Sequence, residues 1–323
     1  MSQFLSQHKV AVACSITTVV GLFAFRKYMN GGVCRSKALL HGKTVLITGA
    51  NTGIGKETAI DLAKRGARVL MACRDITKAE RAAYVVKKLS GNDNIKVYVL
   101  DLASLKSVRS CATQILANES QINILINNAG VMRCPHWKTE DGFEMQLGTN
   151  HLGHFLFTNL LLDRIKDSAP SRIVNVSSLA HTRGKINFDD INSEKKYHPG
   201  VAYSQSKLAN VLFTRELSKR LEGTNVTANS LHPGVILTEL GRHMKFTLWK
   251  KLLVYPMLPL FMKTPNQGAQ TNIYCAVAEE LDTVSGKYFS DCAVDEEAEQ
   301  AKDDDVASRL WTLSEQMVGL KKE

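Results

Sequence analysis

Residues 44–59 read TVLITGANTGIGKETA. Five mostly aliphatic and β-branched residues are followed by a turn holding three glycines and then by residues suited to open a helix. Within the run from Thr44 to Thr48, Val45, Leu46 and Ile47 are apolar at successive positions, and a glycine follows, the pattern of a strand covered on both faces. Its turn has the spacing G-x-x-x-G-x-G at Gly49, Gly53 and Gly55. Glycine suits the tight reversal from strand to helix and leaves no Cβ to obstruct an anion at the positive helix N-terminus. Strand, glycine turn and helix in this order predict a β-α-β unit cradling a dinucleotide pyrophosphate, with Thr48, Gly49, Asn51, Thr52, Gly53, Ile54 and Gly55 around it.

Outward from this unit the same alternation recurs. RVLMA (68–72), KVYVL (96–100), ILIN (124–127), RIVNVS (172–177), TANSL (227–231) and GKYF (286–289) are further strand candidates, most of them separated by long amphipathic stretches. Strands alternating with helices imply crossover connections and a buried parallel sheet. The predicted fold class is α/β, a Rossmann-type doubly wound parallel sheet of about seven strands in one domain. No Pro/Ser-rich linker or internal repeat interrupts it, so the domain is expected over 38–316, after an N-terminal anchor and basic flank (1–37) and before a short tail (317–323).

The chain has 323 residues, 44% hydrophobic and 22% charged, which excludes disorder and fibrous architecture. Its net charge of +10 is local rather than spread. Seven basic residues (Lys9, Arg26, Lys27, Arg35, Lys37, Lys43, Lys56) precede the first acid, Glu57, and most of them flank the uncharged run Val10 to Phe25. A basic flank on an apolar run points to a membrane surface and not to nucleic acid. At about 24 Å the helical run falls short of the roughly 30 Å hydrocarbon core, so a short anchor and a monotopic insertion both fit. A cleaved signal peptide is disfavoured, because Ala11-Val12-Ala13 opens the apolar run and does not follow it. Gly31-Gly32 reads as a flexible link. FTLWKKLLVYPMLPLFM (246–262) suits a lid over an apolar substrate, a membrane-facing patch or a core helix, and the acid-rich stretch 291–305 a solvated face or helix start. Seven cysteines without a C-x-x-C spacing favour reduced thiols.

Beyond the second strand stands Arg74, where an acid would hold the ribose 2′-hydroxyl of NAD. A guanidinium grips a 2′-phosphate that a carboxylate repels, so NADP(H) is the predicted cofactor, although Asp75 sets a carboxylate beside it. Asp101 and Leu102 suit the adenine pocket, and Asn128, Ala129 and Gly130 end the fourth strand where the cofactor must pass.

Tyr203 and Lys207 are four apart on one helix face, and Ser177-Ser178 closes the fifth strand. Glycine turn, Asn-Asn-Ala-Gly, serine and Tyr-x-x-x-Lys in this order resemble the short-chain dehydrogenase/reductase family over residues 40–290. Residues 31–34, 126–137, 231–234 and 238–243 resemble its retinol dehydrogenase branch. The resemblance implies Ser178, Tyr203 and Lys207 as the catalytic group with Asn150 in support, and cofactor contacts from Tyr203, Lys207, Pro233 and Gly234. It implies an NADP(H)-dependent oxidoreductase that reduces retinal or other lipophilic aldehydes, with a steroid or lipid-derived carbonyl reductase or a non-catalytic NADP(H) sensor as alternatives. It also implies a membrane-associated protein, of the mitochondrial inner membrane first and the endoplasmic reticulum second, and a homodimer. Carbonyl reduction needs a proton on oxygen, and a phenol of pKa about 10 is a sluggish donor near neutrality, so Lys207 and the oxidised nicotinamide are expected to lower Tyr203. His151 and His154 have helical spacing but no cysteine or carboxylate beside them, so no metal site is predicted. No G-x-S-x-G elbow surrounds Ser178, which argues against a hydrolase.

Overall fold

The computed structural model describes residues 20–21, 23–236, 240–241 and 261–320. β1 (Thr44–Thr48) is buried at every position. It pairs in parallel with β2 (Arg68–Cys73) on one side, Val45 opposite Val69, and with β4 (Ile124–Asn127) on the other, Val45 opposite Ile124. β3 (Ile95–Val99), β5 (Ser171–Val176), β6 (Val226–His232) and β7 (Tyr288–Ser290) extend the parallel sheet to the order β3-β2-β1-β4-β5-β6-β7. An eighth strand, β8 (Ala293–Val294), is added antiparallel to β7. The expected count of about seven misses this strand because two exposed residues leave no periodic signal.

Among the described residues, seven helices of twelve or more residues cover the sheet: α1 (Gly53–Lys64), α2 (Ile76–Ser90), α3 (Leu105–Asn118), α4 (Gly153–Asp167), α5 (Pro199–Arg220), α6 (Pro265–Val277) and α7 (Asp304–Met317). Successive strand residues point to opposite faces, so β1 feeds two cores. Val45 and Ile47 pack with Ile60 of α1, Val86 of α2 and Ile273 of α6, whereas Leu46 packs with Ile115 of α3, Phe155 of α4, Leu212 of α5 and Trp311 of α7. Phe155, Phe213 and Trp311 interlock with ring centroids 4.9–5.7 Å apart, each pair adding ~1 kcal/mol beyond its buried area. α5 is buried around most of its circumference, which gives the residues on it little freedom to move.

The acid-rich stretch supplies a helix start, since Asp303 caps α7 by accepting from the Val306 N–H. The 1–37 segment is less separate from the domain than its sequence suggests. Cys34 N–H donates to Gln270 and Ser36 to the Val277 carbonyl, both on α6, and Arg26 donates to the Met262 carbonyl at 2.9 Å. Gly31-Gly32 is not a loose link, because a Cβ on either residue would collide with Asp291. Most of the apolar run 10–25, and 246–260 of the second apolar segment, lie outside the described residues. Among the described residues no helix is long and apolar enough to cross a membrane.

Candidate active site

Strand order reverses between β1 and β4, and their C-terminal ends open the crevice in which doubly wound sheets hold ligands. Gly49 (φ +67°) and Gly53 (φ +54°) occupy the left-handed region that side chains disfavour. Gly55 is needed for a different reason: a Cβ there would lie 2.5 Å from the Gly49 carbonyl oxygen and 2.6 Å from Asn128 Nδ2. Thr52, the N-cap of α1, makes no side-chain capping bond, and no acid stands in the first turn. The first N–H groups of α1 therefore open onto the crevice with the positive end of the helix, which fits an anionic pyrophosphate. The cleft has a volume of about 560 Å³. Of the residues the sequence assigns to the cofactor, Gly49, Asn51, Thr52, Gly53, Ile54, Gly55, Arg74, Asp101, Leu102, Asn128, Ala129 and Gly130 line it. Thr48, Pro233 and Gly234 do not: Thr48 is buried beneath the turn, and Gly234 (φ +98°) packs on the Lys263 side chain.

Lys78 and Arg81 join Arg74 at the far end of the cleft, and sequence reasoning misses both. Asp75 is the signal that locates them. It caps α2, accepting from the Lys78 N–H at 3.0 Å, and lies 3.8 Å from Lys78 Nζ. A helix starting there turns residues 78, 81 and 82 over the cleft. The Asp75 carboxylate also lines the cleft, where it is engaged by a helix end and a lysine.

Tyr203 and Lys207 lie one turn apart on α5, 6% and 3% exposed. Ser177 and Ser178 separate by role. Ser177 is buried and donates to the Lys207 carbonyl at 2.7 Å, whereas half-buried Ser178 is hydrogen-bonded to Tyr203. Lys207 Nζ donates to the Val176 carbonyl at 2.9 Å and stands 5.9 Å from the Tyr203 ring centroid. Burial pushes Lys207 down to about 8. The expected lowering of Tyr203 by Lys207 is not found in the protein alone: burial raises the phenol, and the Ser178 hydrogen bond only partly opposes it. Asn150 sits in a π-helical turn, Gly148–Leu152, a distortion that often marks functional sites. Its side chain accepts from the Val131 N–H at 2.8 Å and donates to the Val131 carbonyl at 3.0 Å and to Ser206 at 2.9 Å. A Cβ on Gly130 would lie 3.1 Å from Asn150 Oδ1 and 3.7 Å from Lys207 Nζ, so cleft and catalytic group meet there.

His151 and His154 are core histidines. His151 Nε2 is 2.9 Å from Ser314 Oγ, and His154 lies between Thr48 and the Asn150 carbonyl. Burial holds them down to about 3 and about 4, opposed only in part at His154 by its hydrogen bond to Asn150, and both are neutral at physiological pH. Among the described residues no group of three or more His, Cys, Asp or Glu is arranged to hold a metal ion.

The family model for short chain dehydrogenase matches residues 43–247, a span holding the glycine turn, Ser178, Tyr203 and Lys207. The chain belongs to the short-chain dehydrogenase family. With that membership come oxidoreduction at alcohol and carbonyl groups and a nicotinamide cofactor. Its sequence places it in the retinol dehydrogenase branch. It is 55% identical over 311 residues to retinol dehydrogenase 13 of Homo sapiens, covering 95% of this chain and 94% of that one. Retinol dehydrogenase 12 of Homo sapiens is 54% identical over 93% of this chain and 94% of its own, and retinol dehydrogenase 14 of Homo sapiens 51% identical over 97% and 99%. Among solved structures, an uncharacterized protein from Mycobacterium paratuberculosis superposes with a TM-score of 0.73 at 38% identity, over 90% of this chain and 98% of that one. A short chain dehydrogenase from Shigella flexneri, solved in complex with NADP, shares the fold at 21% identity with a TM-score of 0.63, over 80% and 100%.

Proposed function

We propose that the protein is an NADP(H)-dependent retinol dehydrogenase acting chiefly as a reductase of all-trans-retinal and other lipophilic aldehydes. One observation carries the reading: the Ser178, Tyr203 and Lys207 group stands beside the glycine-lined cleft in a chain 51–55% identical, nearly end to end, to three proteins named retinol dehydrogenases. The choice of NADP(H) is supported by Arg74, Lys78 and Arg81, three cations lining the cleft, against the Asp75 carboxylate there, which accepts from the α2 N-terminus. Gly49, Gly53 and Gly55 would hold the pyrophosphate, and Asp101 and Leu102 the adenine.

When bound, the cofactor supplies the hydride that the carbonyl carbon accepts. Tyr203 gives its phenolic proton to the carbonyl oxygen. Burial raises this phenol, so it holds its proton at neutral pH, as a general acid in the reductive direction requires. Ser178 donates a hydrogen bond to the same oxygen and stabilises the charge that develops there. The Lys207 ammonium stabilises the tyrosinate left behind, and burial, which has brought it to about 8, makes it a readier donor of the proton that restores the phenol. Asn150 holds the Val131 backbone and Ser206, and so keeps the two walls of the site at a fixed distance.

A lipophilic substrate accords with a membrane-associated protein. Phe23, Phe25 and Phe261 are exposed, Phe25 and Phe261 in edge contact at 5.5 Å, next to Arg26 and Lys27. The mitochondrial inner membrane is the proposed location and the endoplasmic reticulum the alternative, to be separated by fractionation with protease protection. The decisive assay is the initial rate of all-trans-retinal reduction by membrane-bound protein with NADPH and with NADH, for wild type and Arg74→Glu. NADPH-dependent turnover whose preference moves toward NADH in the variant supports the proposal. NADPH binding without retinal turnover rejects the retinoid and sends the search to steroid or lipid-derived carbonyls.

A further inference from the structure

We infer that His154 is a positioning residue that aims the Asn150 backbone carbonyl through a hydrogen-bond chain begun at Thr48, tying the cofactor turn to the catalytic group. The inference rests on the proposed roles of Asn150, Tyr203 and Lys207. Thr48 ends β1, and its hydroxyl oxygen accepts from the N–H groups of Asn128 and Ala129, both at 2.9 Å. With both lone pairs occupied, its single proton is directed to His154 Nε2 at 2.8 Å. A ring that accepts at Nε2 while neutral carries its proton on Nδ1, and Nδ1 lies 3.0 Å from the Asn150 carbonyl oxygen. Each bond therefore has one direction, and the histidine tautomer is dictated by two main-chain amides at the end of β4. His154 is 2% exposed and opens α4, one turn past Asn150. A π-helical turn departs from the regular ladder, so an added donor bears on where the Asn150 carbonyl points. From Asn150 the constraint passes to Val131 and to Ser206, the neighbour of Lys207.

Two substitutions separate this role from simple filling of space. In His154→Asn the amide nitrogen takes the place of Nδ1 and still reaches the Asn150 carbonyl. In His154→Gln the polar end reaches Thr48 and offers Asn150 nothing. A misplaced catalytic group lowers kcat more than binding, so His154→Gln is expected to lose roughly 10–100-fold in kcat with the NADPH KM within about twofold, and His154→Asn to recover most of the loss. Equal losses in both variants, or none in His154→Gln, overturn the inference. A second readout needs no turnover: long-range ¹⁵N–¹H correlations of the histidine rings in wild-type protein in detergent. A neutral ring protonated at Nδ1 and bare at Nε2 is expected for His154, and protonation at Nε2 overturns the chain of bonds. Absence of carbonyl turnover in the wild type would instead reject the proposed reaction, while the ring signal still decides the tautomer.

Discussion

Gly55→Ala isolates the closeness of helix and strand on which the cofactor cleft depends. The added methyl would stand 2.5 Å from the Gly49 carbonyl oxygen and 2.6 Å from Asn128 Nδ2, against an ordinary contact of 3.4 Å or more. Relief requires nearly 1 Å of movement. The first obstacle is backbone in a left-handed turn, and the second is an amide that donates to the Thr48 carbonyl at 2.9 Å. Overpacking of this kind costs ~1–3 kcal/mol, and loss of the amide bond adds ~1 kcal/mol. Alanine's helix propensity returns ~1 kcal/mol, leaving a net loss of ~1–3 kcal/mol. For a domain of this size that lowers Tm by roughly 3–9 °C. NADPH binding should weaken at the same time, by roughly 10–100-fold, because α1 moves off the turn that holds the pyrophosphate. Gly91→Ala is the control. Gly91 has φ +68° and open space around its would-be Cβ, so it meets left-handed strain of ~1–2 kcal/mol without touching the cleft. Melting curves and NADPH fluorescence titrations of both variants decide the matter. Wild-type melting and binding in Gly55→Ala, or equal loss of NADPH binding in Gly91→Ala, would refute the reasoning.

Tyr203→Phe should bind NADPH like wild type and lose roughly 10²–10⁴-fold in kcat, since only the proton donor is removed; single-turnover rates near wild type would exclude Tyr203 as the acid. Lys78→Ala and Arg81→Ala should each raise the NADPH KM several-fold and leave the NADH KM unchanged, and equal effects on the two cofactors would remove these residues from phosphate recognition. Lys207 predicts an alkaline stability slope. Its folded pKa is about 8 against an ordinary 10.5, so between those values the unfolded chain binds the extra proton and the stability of the cofactor-free protein rises with pH. The rise, on the order of 3 kcal/mol, should vanish in Lys207→Met, and matching slopes in denaturant titrations from pH 7 to 10.5 would show that Lys207 is not the source.

The features legible in the sequence are those made by neighbours in the chain. The glycine turn, the alternation of strand and helix, Arg74 beyond β2 and the Tyr203–Lys207 spacing each need only a few consecutive residues, and all stand where that reading puts them. What escaped depends on distance through the fold. Gly31-Gly32 looks like a hinge until Asp291, some 260 positions away, is packed against it. The spacing predicts a Tyr203 acidified by its lysine, but burial raises the phenol although the cation stands 5.9 Å from the ring centroid, and burial is not written in the spacing of two residues. Ser177 and Ser178 are equivalent as letters, and one bond from Ser177 to the Lys207 carbonyl makes the distinction. His154 shows the limit most sharply. Its two partners belong to separate motifs, Thr48 in the glycine turn and Asn150 in the π-helical turn, and the histidine acquires a direction only when β1, β4 and α4 meet. A residue in neither motif that joins both is where a search by motif fails and a count of protons and lone pairs succeeds.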